Sequence, residues 1–120
     1  MIHKEVRLSP YLYCLVNLKV MSSLVDTKMS VKEIEVLATF LSLDPGLTGS
    51  SMFNPEARKE VMKRCNLSAG GLGNHLRSLK KLKVVIKDPV NGILKVNPVL
   101  VPGSFEQSYN IRLKKELSGQ

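Results

Sequence analysis

A chain of 120 residues, 43% of them hydrophobic, suits one domain and excludes disorder throughout. Three Tyr, three Phe and no Trp leave the core to Leu, Val, Ile and Met, and eighteen basic residues against ten acidic give a charge of +8 that favours a polyanionic partner. His3 and His75 stand far apart, with no G-x-S-x-G, H-E-x-x-H, phosphate-gripping loop or metal-spaced Cys/His set, so no enzyme, cofactor, metal site or small-molecule substrate is expected.

The first residues, "MIHKEVRLSP", carry charges without the apolar run and cleavage site of a signal peptide. Residues 1–8 suit a short strand or a tail. Ser9-Pro10 then reads as a helix start, Ser at the cap and Pro at the first helical position. From Tyr11 to Val25 a helix burying Leu12, Leu15, Val16 and Val20 is expected, although the β-branched and aromatic content also permits a strand. "YLYCLVNLKVM" is too short and, with Asn17 and Lys19, too polar to span a bilayer, so a cytoplasmic protein off the membrane is expected. Cys14 and Cys65 form no C-x-x-C pattern; they read as buried thiols of a reducing compartment, with one disulfide as the alternative.

"SVKE" at Ser30–Glu33 is a capping box. It opens a helix whose Ile34, Leu37, Ala38 and Leu41 share one face, ending at Asp44-Pro45-Gly46. "DPGLTGSS" reads as a loop and "SMF" as a brief strand packing Met52 and Phe53 into the core. "NPEARKEVMKRCN" starts a second helix, capped by Asn54, with Ala57, Val61, Met62 and Cys65 inward and Lys63 and Arg64 in the last turn, where the dipole favours them. After a short turn Ser68 caps a third helix, with Leu72, Leu76 and Leu79 on one face. Val84–Lys87 and Ile93–Val96 then form a β-hairpin turning at Asn91-Gly92. Pro98 and Pro102 end the sheet, and "YNIRLK" in the tail suits an alternating strand.

The excess charge is localised. Residues Asn54 to Asn97 hold ten basic residues and three acidic ones, which leaves the other 76 residues close to neutral.

Helix, loop, helix, short turn, helix and hairpin, with "NLSAGGLGNHLRSLKKLKVVIKD" and "GILKVNPVLV", resemble a winged-helix (winged helix-turn-helix) DNA-binding domain, similar to winged helices associated with plasmid and phage replication or transcription. The resemblance covers about 70 residues. It implies a mainly α fold with a small β-hairpin (α+β): a three-helix core plus wing over residues 30–102, an N-terminal helix or strand extension over 1–29 able to dimerise, and a tail over 103–120. It implies a non-enzymatic protein of a bacterial or phage-infected cell, binding double-stranded DNA in transcription regulation or replication, and capable of forming a homodimer. The third helix, 68–82, would occupy the major groove and the wing, 84–97, the backbone. With the leucines inward, the outer side carries Gly70, Gly71, Asn74, Arg77, Ser78 and Lys81, with His75 at the border. Asn74 and Arg77 suit base edges; Ser68, Ser78, Lys80 and Lys81 suit phosphates; Arg58, Lys59, Lys87, Asn91 and Lys95 would follow the backbone from the second helix and the wing.

Gly70, Gly71 and Gly73 have two readings. Either they let DNA approach the first turn, or the helix begins nearer Leu72 and they belong to the turn. The family often carries polar base-reading side chains at such positions, so readout falls to Asn74, Arg77 and Ser78, or to phosphates. The competing reading of the whole chain is a protein–protein interaction module of a phage virion or polymerase-associated assembly, its lysines a solvated helix end.

Overall fold

A computed structural model describes residues 5–49, 51–103 and 108–109. Among the described residues five helices precede a two-stranded antiparallel sheet, so the fold is mainly α with a small β component. None of these helices is long and apolar enough to cross a membrane.

Helix α1 (Pro10–Leu24) begins where expected: the Ser9 hydroxyl accepts the Leu12 amide proton, and Pro10 occupies the first helical position. Its facing differs from the expectation. Cys14, Asn17, Leu18 and Ser22 are buried, while Leu12 and Val16 are 44% and 41% exposed. The physical reason lies in Asn17. The helix is apolar on all sides, so apolar periodicity cannot choose the inward face. A buried amide, in contrast, needs partners. Asn17 Nδ2 donates to the Leu100 carbonyl at 3.2 Å, and its Oδ1 accepts from the Tyr109 hydroxyl.

The turn after α1 is held by Ser22, whose hydroxyl lies 2.8 Å from that of Thr27, and by Asp26 in the left-handed region. Helix α2 (Val31–Leu41) carries the expected capping box: the Ser30 hydroxyl accepts from the Glu33 amide, and Glu33 Oε1 accepts from the Ser30 amide. It is the central element, packed against α1, α4 (Pro55–Cys65) and α5 (Ala69–Lys81). Its buried set accordingly runs around the helix, adding Val36, Thr39 and Phe40 to the expected face.

Two short features replace the expected loop and strand between α2 and α4. Asp44 and Pro45 start a one-turn helix, α3 (Pro45–Thr48), with Asp44 Oδ1 accepting the Gly46 amide proton. "SMF" forms no strand. Instead Asn54 gathers the preceding chain: its Nδ2 donates to the carbonyls of Leu47, Thr48 and Ser51, while its Oδ1 caps α4 at the Ala57 amide. Phe53 is buried as expected, its ring 4.8 Å from that of Phe40.

Asn66 in the left-handed conformation closes α4, and the chain turns directly into α5. Lys83 plays the same part after α5, with Val84 donating back to the Leu79 carbonyl. Strands β1 (Val85–Lys87) and β2 (Leu94–Val96) pair with Val85 opposite Val96 and Lys87 opposite Leu94. A 3-10 turn, Pro98–Leu100, then docks on α1 and buries Leu100. Cys14 and Cys65 are both free thiols. The N-terminal four residues and, of "YNIRLK", all beyond Tyr109 lie outside the described residues.

Candidate nucleic-acid interface

Helix α5 owes its start to Ser68, whose hydroxyl accepts the Gly71 amide proton at 3.0 Å. The helix therefore includes all three glycines, which removes the reading that it begins near Leu72. A Cβ at Gly70 or Gly73 would meet nothing within 4 Å, whereas one at Gly71 would sit 3.3 Å from the Ser68 hydroxyl. Gly70 and Gly73 thus keep no packed neighbour apart; they leave bare backbone at the surface.

Leu72, Leu76 and Leu79 face the core. Opposite them Gly70, Asn74, Arg77 and Lys81 are exposed, and Lys80 is exposed beside them. Asn74 and Arg77 are not independent. Arg77 Nη1 donates to Asn74 Oδ1 at 3.2 Å, one turn apart on the helix. Among the described residues no acid pairs with Arg77, Lys80 or Lys81.

Ser78 and His75 are half-buried and turn towards α2. There Glu33 lies buried, its Oε2 without a partner in hydrogen-bonding geometry. Burial pushes the Glu33 carboxyl up, but the Ser30 amide, the Ser78 and Ser30 hydroxyls and the charge of His75 outweigh it and leave the group below its ordinary value. This carboxylate was legible as a capping residue; its contact with α5 depends on how the two helices pack and has no signature in the chain.

The flanking cations differ in freedom. Lys59 is exposed on α4, as is Lys63 one turn on, which sequence reasoning passed over as a dipole partner. Arg58 is exposed too, yet its Nε donates to the Phe53 carbonyl and helps hold the loop before α4. In the hairpin Lys87 is exposed, but Lys95 Nζ lies 3.3 Å from Asp88 Oδ2. Asp88 also accepts from the Val90 and Asn91 amides, and these bonds with Lys95 hold its carboxyl below the usual range. Gly92 supplies the positive φ of the turn; Asn91 instead accepts the Ile93 amide proton.

Among the described residues no group of His, Cys, Asp and Glu is arranged to hold a metal ion. The chain matches no family model, no curated protein and no solved structure.

Proposed function

We propose that this chain is a winged helix-turn-helix protein that binds double-stranded DNA, with α5 in the major groove and the β1–β2 hairpin on the adjacent backbone. The observation that carries the reading is the two-sidedness of α5: three buried leucines on one side, Gly70, Asn74, Arg77 and Lys81 open to solvent on the other. Thirteen residues make a rod of about 20 Å, a length that a major groove accepts. The helix start at Ser68, whose hydroxyl takes the Gly71 amide, leaves the Ala69 and Gly70 amides and a positive dipole end at the glycine-bare first turn, where a phosphate would be favoured. Lys80, Lys81, Lys59, Lys63 and Lys87, which pair with no acid among the described residues, supply positive charge for further phosphates. Lys95, bound to Asp88, serves the hairpin's shape first and the polyanion second.

Retention of random-sequence duplex at two salt concentrations tests the proposal. Neutralised phosphates release counterions, so affinity should fall steeply between 50 and 200 mM salt. Salt-insensitive or absent retention would sink it in favour of a protein-binding role. Control of transcription or replication would follow by analogy with modules of this kind.

A further inference from the structure

We infer that Arg77, steadied by Asn74, reads a guanine in the major groove. This rests on the DNA-binding reading of α5 and goes further, naming the base.

The exposed stripe contains Gly70, Asn74, Arg77 and Lys81. Asn74 Oδ1 is the one side-chain acceptor among these four, because glycine has no side chain and arginine and lysine only donate. That oxygen is turned onto Arg77 Nη1. The stripe therefore meets a base edge with donors: Asn74 Nδ2, the Nε–Nη2 edge of Arg77 and Lys81 Nζ. Guanine presents two neighbouring acceptors in the major groove, N7 and O6. Adenine presents N7 beside the N6 donor, and its bidentate partner would be an asparagine with a free oxygen. Here that oxygen already accepts from Arg77, which leaves it one lone pair and ties the amide's orientation to the arginine, so the paired grip on adenine is disfavoured against the arginine's grip on guanine. Cytosine offers a donor, and thymine one acceptor beside a methyl group.

Two further features fit this use of Arg77. The bond to Asn74 restrains a long side chain before it meets its target, so less rotamer freedom is lost on binding. Gly70 and Gly73 lie one turn before Asn74 and Arg77 respectively, and the space a Cβ would occupy there is open. The base edge and its strand can approach the helix surface beside the fork.

Selection from a random duplex pool with the full chain supplies the site. The enriched sequences should share one invariant guanine. Replacing it with 7-deazaguanine, which lacks the N7 acceptor, should weaken binding of the unaltered protein roughly 5- to 100-fold. The same replacement should cost Arg77→Lys, which keeps the charge and loses the fork, less than it costs the unaltered protein, and should leave Arg77→Met, which has no donor, nearly unaffected. Asn74→Ala should reduce the guanine preference without changing the salt slope by as much as one unit. Salt-sensitive binding that selects adenine, or no base, or that ignores the 7-deaza replacement, would overturn the guanine assignment alone. Absence of salt-sensitive binding to any duplex would overturn the DNA reading and this assignment together.

Discussion

Helices α1 and α5 have similar lengths and opposite characters. α5 separates its residues cleanly, leucines inward and polar or bare positions outward, and its orientation follows from spacing alone. α1 is apolar on every side and is oriented by one amide, Asn17, whose partners lie more than 80 positions away. A helix with one-sided polarity announces its facing. One with uniform polarity waits for its tertiary partners to choose it.

That contrast can be attacked experimentally. Leu79→Ala removes a side chain from the fully buried stripe of α5 and should lower unfolding free energy by about 2–5 kcal/mol in urea titration. Val16→Ala, on the outward side of α1, should change it by less than about 0.5 kcal/mol. Equal effects would mean that Val16 points into the core and that α1 is rotated about its axis.

Charge reversal tests whether the two helices differ in function. Lys80→Glu with Lys81→Glu should weaken duplex binding roughly a hundredfold, two charge-assisted contacts at about 1.5 kcal/mol each. The logarithmic salt slope should also fall by about two. Lys19→Glu with Lys28→Glu, exposed on α1 and just beyond it, should leave the slope within one unit of the unaltered protein.

Asn17→Ala tests the amide itself. It strands the Leu100 carbonyl against the middle of α1 and should destabilise the fold by about 1–3 kcal/mol. Glu33 should show itself through pH. Its folded-state pKa lies below the ordinary 4.5, so its stabilising contribution is complete above pH 4.5 and fades as pH falls through the lowered value. Glu33→Gln should flatten that acid limb of the stability profile. Lys83→Gly should act in the opposite direction. A glycine accepts the φ of +64° without strain, so thermal unfolding should report a gain of about 0.5–1 kcal/mol.

The sequence disclosed those parts of the fold that are written locally. Ser9, Ser30, Asn54 and Ser68 each cap a helix as expected, because a cap needs only a short side-chain oxygen ahead of an apolar run. The hairpin and its Gly92 were legible from turn chemistry. The strand expected at Met52-Phe53 failed because Asn54 turns one amide onto three carbonyls, a reach that local propensity does not describe. The four-residue α3 went unread although Asp44-Pro45 is a capped start, since one turn leaves no periodicity to detect. Within the candidate interface the outward set of α5 was readable from the helical angle. The diversion of Ser78 and His75 towards Glu33, and of Lys95 towards Asp88, required the packing of α2 on α5 and the strand register.

The bond from Asn17 to Leu100 joins positions 83 apart. Closing so wide a span demands that most of the intervening chain be collapsed already. During synthesis α1 precedes Leu100, so the Asn17 amide must stay bonded to water until Leu100 has been made and docked. The lock on α1 is therefore set from the far end of the described fold, by the turn at Pro98–Leu100.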